Sequence, residues 1–407
     1  MRFFKRTIKD VSIDHKTVLV RADYNVPLSK DGAISDDLRI RASLPTIQYL
    51  LDHHCKVVIM SHLGRPEGKD KSLSLEPVAE RLSKLLGKEV IFVDDCIGDK
   101  VAQAVKKAPA DAVILLENLR FYSEEEANDE TFAKKIATAT GARYFVQDGF
   151  GVVHRAHAST DAITHYAPSV AGLLLEREYV TITNAMEHPK RPLVAVMGGA
   201  KVSDKITVIE RFVKIADRVI IGGAMANTFL KYKGYHVGAS KVEAGQEAVL
   251  DGIYSAAHHK SDGHADDFIM LPADVAVAKE ISETAKRHNV KLGAVAEDDI
   301  ILDIGDEAID NTVAAVQNAK TVIWNGTLGY AELPEFAHGS ARLALALASQ
   351  PETTSIIGGG DTADFVLKWD GGTGESFTHV STGGGASLEL MAGEKLPGVE
   401  SLLDAPK

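Results

Sequence analysis

The sequence predicts an α/β protein built from two parallel sheets, each covered by helices on both faces. Three observations carry that prediction. Short apolar runs alternate with amphipathic segments over nearly all of the 407 residues, as strands crossed over by helices do. The alternation stops once, at about residues 171–187, where a long helical pattern carries no strand, and then resumes. The residues that follow the apolar runs also differ between the halves, cationic in the first and glycine in the second.

In the first half, strands are expected at Thr17–Val20, Lys56–Met60, Glu89–Val93, Ala112–Leu115 and Arg143–Val146. Helical patterns fill the gaps at Asp37–Leu51, Leu75–Leu86, Lys100–Lys107 and Asp129–Ala139. Ser74 and Gly87 are placed to cap the second helix. The segment Ala171–Glu187 reads as one helix ending before Pro189 and Pro192, and marks the boundary between domains. Strands then follow at Leu193–Met197, Arg218–Ile221, Phe268–Leu271, Ile300–Ile304, Thr321–Trp324, Thr354–Ile357 and Phe377–Val380. Helices are expected at Ser203–Ala216, Ala224–Lys231, Gly245–His258, Glu307–Ala319, Ser340–Leu347, Ala363–Trp369 and Ala386–Met391. The expected architecture is two doubly wound, Rossmann-like domains, residues 1–170 and 189–392, joined by an interdomain helix at 171–188. No internal repeat or low-complexity segment is evident.

Composition narrows the function. The formal net charge of −12 argues against nucleic acid as the main partner. The only cysteines, Cys55 and Cys96, form no CxxC pair, which fits a reducing cytoplasm and packing roles. The first residues carry no signal-peptide core. No apolar run reaches the roughly 18 to 20 residues that span a bilayer, so no membrane association is expected.

In an open parallel α/β sheet, ligands bind beyond the carboxyl ends of the strands. Four first-half strands lead into Arg21-Ala-Asp-Tyr-Asn-Val-Pro27, Ser61-His-Leu-Gly-Arg-Pro66, Glu117-Asn-Leu-Arg-Phe121 and Asp148-Gly-Phe-Gly-Val-Val-His-Arg-Ala-His157. They deliver Arg21, His62, Arg65, Arg120, His154, Arg155 and His157 to one edge. Guanidinium forks suit phosphate and carboxylate oxygens. A single arginine is most simply a surface ion-pair partner, but four strand ends in step imply a small ligand with several negative charges. The second-half ends are Gly198-Gly199, Gly222-Gly223, Asn325-Gly326, Gly358-Gly359-Gly360 and Gly383-Gly384-Gly385. Backbone N–H nests and helix starts of this kind suit a phosphate chain. Lys201 and Lys205 follow the first glycine pair. At i and i+4 of one helix they would reach the same anion, whereas the plainer reading is a tight turn with two solvated lysines. Asp361 is placed either to ligate Mg²⁺ alongside phosphates or to cap a helix.

A polyanion site and a nucleotide site in one chain point to phosphoryl transfer, which needs positioning and charge neutralisation more than covalent help. No HRD-type base loop is present, which fits an acceptor already ionised, such as a carboxylate. Domain closure to exclude water would involve the 171–187 helix. Two other classes stay in view. Gly358-Gly-Gly-Asp-Thr-Ala363 fits GxGxxA, the fingerprint of a dinucleotide-binding oxidoreductase, but the next strand ends His379-Val-Ser-Thr-Gly without the ribose-binding acid. A non-catalytic phosphometabolite sensor is the other, against which Lys201 and Lys205 weigh. His53-His54 and His154/His157 raise zinc, but no Cys or HExxH pattern supports it.

The motifs named above, with Trp324-Asn-Gly and Ser381-Thr-Gly-Gly-Gly-Ala-Ser-Leu-Glu-Leu390, resemble those of phosphoglycerate kinases, in order and over essentially the whole chain. The resemblance implies reversible phosphoryl transfer between 1,3-bisphosphoglycerate and ADP with Mg²⁺, in a cytoplasmic monomer. Arg21, Asp23, Asn25, Arg39, His62, Arg65, Arg120 and Arg155 would bind 3-phosphoglycerate. Arg39, Lys201, Gly360 and Gly383 would be catalytic, with Lys201 on the group in flight. Gly199, Ala200, Lys201, Lys205, Gly223, Asn325, Glu332, Gly358, Gly359, Gly360, Asp361 and Thr362 would bind the nucleotide, Glu332 at the ribose, and Asp361 would hold the metal. The tail from about residue 393 to Lys407 would pack on the first domain. Thr327, Ala331 and Ala224 depart from the family's usual Pro, Phe and Gly near the nucleoside. Gly149 and Val153 depart as well but leave the charged ligands intact.

Overall fold

In the computed structural model, which describes residues 2–406, the chain divides into two compact units. One runs to Val180 and takes up the segment from Lys395; the other is Thr181–Glu394. The helix Leu173–Glu187 is thus shared, whereas the sequence reading sets the whole helix apart from both domains. The expected range ends at Met1 and Lys407 lie outside the described residues.

The first unit holds a six-stranded, all-parallel sheet of β1 (Thr17–Arg21), β2 (Lys56–Met60), β3 (Val90–Val93), β4 (Val113–Leu116), β5 (Tyr144–Gln147) and β6 (Ser169–Ala171). The order across it is β3-β4-β2-β1-β5-β6. Its central strands are continuous Val/Ile/Leu runs because helices bury both faces. Helices turn back at glycines that adopt left-handed backbone, as at Gly87 with φ 62°. Ser74 Oγ accepts from Glu76 N and donates to Glu117, which ties the start of that helix to the end of β4. The C-terminal segment lies on this unit. Lys5 Nζ donates to Glu400 O and Asp404 Oδ1, both at 2.7 Å, and Gly398 N donates to Val153 O.

The second unit holds an all-parallel sheet of β7 (Leu193–Met197), β8 (Arg218–Ile221), β9 (Ile269–Met270), β13 (Thr321–Asn325), β14 (Thr354–Gly358) and β15 (His379–Val380), ordered β15-β14-β13-β7-β8-β9. Three further strands form a separate antiparallel sheet: β10 (Asp274–Ala278), β11 (His288–Lys291) and β12 (Ile300–Ile304), ordered β11-β10-β12. This corrects the expectation that Ile300–Ile304 belongs to the parallel sheet. Apolar periodicity marks it as a strand but does not choose its partner. Only two residues of the expected Phe268–Leu271 strand pair, because Ala265–Phe268 closes as a turn of helix.

The helix Leu173–Glu187 starts against a buried acid. Asp148 Oδ1 accepts from Leu174 N at 3.0 Å and Thr46 Oγ1 at 2.9 Å, and Thr46 Oγ1 accepts from Leu173 N at 3.0 Å. Two N–H groups that a helix start leaves unpaired are thereby satisfied. Gly172 permits the close approach, since a Cβ there would lie 2.0 Å from Asp148 Oδ1. Gly172→Ala is expected to destabilise this unit by about 1–3 kcal/mol through overpacking and loss of the cap. Urea unfolding of the variant beside the wild type checks it, and an unchanged midpoint would contradict the account.

Candidate functional site

The four cation-bearing strands β4, β2, β1 and β5 are consecutive neighbours in the first sheet. Parallel pairing brings their carboxyl ends to one edge. Arg21, at the end of β1, is only 1% exposed. Its Nε donates to Ser159 Oγ at 2.7 Å, one Nη to Ala22 O at 2.6 Å and the other to His62 Nδ1 at 3.2 Å. A guanidinium cannot accept, so Nδ1 must, which leaves the His62 proton on Nε2. Burial, then the Arg21 charge, hold His62 well below the usual imidazole range and keep it neutral. Behind Arg21, the fully buried Glu125 accepts from Ser159 N and Oγ and lies 3.8 Å from the guanidinium. Glu125 and Ser159 escape a reading by motif. In sequence, Glu125 is one of three consecutive acids that look like a solvated face.

Arg39 projects from the first turn of the helix Leu38–Asp52, with Nη1 2.6 Å from Asp23 Oδ2. Asn25 Oδ1 accepts from Gly64 N, and Arg120 Nη1 donates to Gly64 O. Asn118 holds the same loop through Leu63 N, Leu63 O and Leu73 O. Arg65 and Arg155 are exposed, yet close enough that both charges weigh on Arg120. His157 is held near 4 by burial and then Arg21, and burial lowers His154, so neither adds charge at neutral pH. The structure therefore gathers Arg21, Asp23, Asn25, Arg39, His62 and Arg120 into one braced edge, with Arg65 and Arg155 beside it.

In the second unit the glycine turns interlock. A Cβ on Gly198 would lie 2.1 Å from Thr327 O, and one on Gly223 would lie 2.6 Å from Gly199 N. Gly199 and Gly326 adopt φ of 98° and 101°, a region side-chain-bearing residues rarely enter. Lys205 Nζ turns back into this layer and donates to Gly198 O at 2.8 Å, Asn325 O at 3.0 Å and Asn325 Oδ1 at 2.7 Å. Burial brings the ammonium down to about 8, against the opposing fields of Asp361 and Asp204. Asn325 Nδ2 is buried with no partner beside Gly358. Thr362 Oγ1 accepts from Gly326 N, and Gly383 N donates to Ser381 Oγ.

Lys201 and Lys205 do not share a helix face, which corrects the sequence reading. A 3₁₀ turn, Ser203–Lys205, precedes the α-helix Ile206–Ile215, and Lys201 lies before both, exposed beside Ala200. The carboxylate of Glu243 takes the N–H groups of Val202 and Ser203 and the Ser203 hydroxyl, so the chain is capped there before the helix begins. Beyond the turns, a pocket of about 130 Å³ opens between two walls. Asp361, Asp364, Phe365 and Lys368 form one wall at helical spacing on Gly360–Trp369, and Thr327, Ala331 and Glu332 form the other.

Among the described residues, no group of three or more His, Cys, Asp or Glu is placed to hold a metal. Asp361 is exposed in the first turn of its helix, directly after the β14 glycines. An exposed carboxylate at the rim of this pocket, with Asp364 on the same helix, fits Mg²⁺, which keeps waters and takes one or two carboxylates with substrate phosphates.

The fold and these strand ends define a two-unit α/β protein equipped for two phosphate-bearing ligands. The family profile described as phosphoglycerate kinase matches residues 8–394. Phosphoglycerate kinases of Moorella thermoacetica and Dictyoglomus turgidum are each 47% identical to the chain, over 98% of it and 99% of the relative. Solved phosphoglycerate kinases from Coxiella burnetii and Pyrococcus horikoshii superpose with a TM-score of 0.83 each, at 37% and 32% identity and 98% coverage of both chains. The chain belongs to the phosphoglycerate kinase family.

The Asp23–Arg39 pair is open to a direct check. Burial alone would raise the Asp23 carboxyl, but the charge of Arg39, and after it that of Arg21, brings it down to about 2. Its folded value lies below the unfolded one. Its contribution, about 2 kcal/mol, is therefore complete above the ordinary carboxylate range and lost as pH falls toward 2. Carboxyl NMR titration is expected to show this value, and Arg39→Ala to raise it; an Asp23 that titrates alike in both proteins would contradict the pairing.

Proposed function

We propose that this chain catalyses reversible phosphoryl transfer between 1,3-bisphosphoglycerate and ADP, giving 3-phosphoglycerate and ATP, in glycolysis and gluconeogenesis. The carrying observation is a single-family match over nearly the whole chain, with a braced arginine edge in one unit and interlocked glycine turns in the other.

Arg21, Asp23, Asn25, His62, Arg65, Arg120 and Arg155 bind 3-phosphoglycerate. The guanidiniums and the His62 Nε2–H meet its phosphate and carboxylate, and Asp23 accepts from its hydroxyl. Arg39 neutralises the transferring group from the acceptor side. The acceptor carboxylate is ionised at neutral pH, so no protein base is needed. The nucleoside lies in the Thr327–Glu332 and Asp361–Lys368 pocket, with Glu332 at the ribose. The phosphates lie over Gly199, Ala200, Gly223, Asn325 and Gly358–Thr362. The unpaired Asn325 Nδ2 and the open helix start at Gly360 are donors ready for them. Gly360 offers its N–H to the moving oxygens, and Gly383, whose own N–H is held by Ser381 Oγ, lets the backbone turn beside them. Asp361 would hold Mg²⁺, which when bound with the nucleotide neutralises phosphate charge. We assign hinge bending in Leu173–Glu187 to the step in which both substrates must meet. A monomer in the cytoplasm completes the reading. The free thiols Cys55 and Cys96 suit a reducing compartment, and no helix among the described residues is long and apolar enough to cross a membrane.

Lys201 stabilises the phosphoryl group in flight. In a coupled assay with 3-phosphoglycerate and MgATP, Lys201→Met is expected to lose most of kcat with both KM values within a few-fold of wild type. Turnover near wild type would remove Lys201 from that role. Lys205 adds a pH dependence. Its charge is present below about 8, so ADP affinity is expected to fall as pH rises above 8, by up to tenfold per unit. Calorimetry between pH 7 and 9.5 measures this, and a flat profile would exclude Lys205 from the phosphate contacts.

A further inference from the structure

The wall of the nucleoside pocket that carries Thr327, Ala331 and Glu332 belongs to a segment with little regular structure, between the end of β13 and the helix His338–Ala348. Gly199 N and Gly223 N, after two strands of the parallel sheet, donate to Thr327 O and Leu328 O at its near end, and its far end is held from outside that sheet. Asp303, in β12 of the antiparallel sheet, has a fully buried side chain. Its Oδ2 accepts from Arg287 Nη1 at 2.8 Å and from Gly339 N at 3.0 Å, at the first turn of that helix. Its Oδ1 accepts from Ile304 N at 2.9 Å. Arg287, 7% exposed, also donates to Ile304 O at 2.8 Å, which locks the guanidinium to the same strand. Burial pushes the Asp303 carboxyl up to about 6, still ionised at neutral pH.

The pocket-forming segment closes directly on this carboxylate. A Cβ on Gly329 would lie 2.4 Å from Asp303 Oδ1 and 2.4 Å from Phe336 O. Tyr330 N donates to Leu302 O at 2.7 Å, next to Asp303 in the same strand. Gly329 is two residues from Thr327 and two from Ala331, so its seat on Asp303 fixes both sides of the wall. A buried carboxylate tied to a buried guanidinium is rigid, because removing either partner leaves the other charge uncompensated.

We propose that Asp303 and Arg287 are positioning residues for nucleotide binding: their ion pair seats Gly329 and thereby sets the geometry of the wall that receives a nucleoside diphosphate. Neither residue lines the pocket. The inference rests on the nucleotide reading of that pocket given above.

Calorimetric titration with MgADP, and separately with 3-phosphoglycerate, tests it on Asp303→Asn, Gly329→Ala and Lys291→Ala. Lys291 makes an exposed ion pair with Glu307 on the same small sheet and does not face the wall, so it controls for general loosening of that sheet. Asp303→Asn and Gly329→Ala are each expected to weaken MgADP binding by about tenfold, to raise KM for ATP similarly, and to leave kcat at saturating ATP and 3-phosphoglycerate affinity within twofold. Lys291→Ala is expected to bind MgADP as the wild type does. If Asp303→Asn does not fold, Gly329→Ala decides alone. A folded Gly329→Ala that binds MgADP like the wild type overturns the inference, as does equal weakening in Lys291→Ala. A wild type that itself fails to bind MgADP overturns the nucleotide reading instead, and this inference with it.

Discussion

Parallel pairing is the constraint on which the rest depends. Strands that run the same way end at the same edge, so loops far apart in sequence become neighbours there. In the first unit β4, β2, β1 and β5 stand side by side, and Arg120, His62, Arg21 and Arg155 follow them. In the second, β15, β14, β13, β7 and β8 stand side by side, and all five lead into glycine turns. The central strands are almost wholly buried and mostly apolar, so burial on both faces fixes the sheets and leaves the edges free to vary chemically.

A second rule shapes those edges: a charge removed from water needs a partner. Arg21 is almost wholly buried and is met by Glu125, Ser159 and His62. Asp23 is met by Arg39, and Lys205 by three oxygens of Gly198 and Asn325. Each of these groups is thereby fixed by the protein itself, and a group fixed in advance lowers the ordering cost of any binding it takes part in. The same rule, applied to Asp303 and Arg287, reaches residues with no ligand in view.

Most of the architecture was legible in the sequence because it is written in periodicity. Lys56–Met60, Leu193–Met197 and Arg218–Ile221 are strands with the expected bounds. The antiparallel sheet was not legible. His288–Lys291 is polar and largely exposed, and the buried strand Asp274–Ala278 offers an apolar run of only four residues, Val275–Ala278. Site residues that follow an apolar run, such as Arg21 and His62, could be placed from the sequence. Arg39 came only from family resemblance, since one arginine in a helix's first turn looks like a surface charge. Glu125 and Asp303 left no signal, because their burial is a property of tertiary packing alone, and Glu243 left none because the N–H groups it caps lie 41 and 40 residues away in sequence. The lysine pair misled for a related reason: spacing of four places two side chains on one face only if the helix has already begun, and at Lys201 it has not.

The central claim is that the γ-phosphoryl group of ATP passes to the carboxylate of 3-phosphoglycerate on this chain. The most direct measurement follows a label on that γ-phosphoryl group in the presence of Mg²⁺ and 3-phosphoglycerate, with hydroxylamine to trap acyl phosphate. The account predicts that label leaves ATP only when 3-phosphoglycerate is present, with formation of the hydroxamate of 3-phosphoglycerate. Label released as inorganic phosphate at the same rate without 3-phosphoglycerate, or no loss of label from ATP at all, would contradict it.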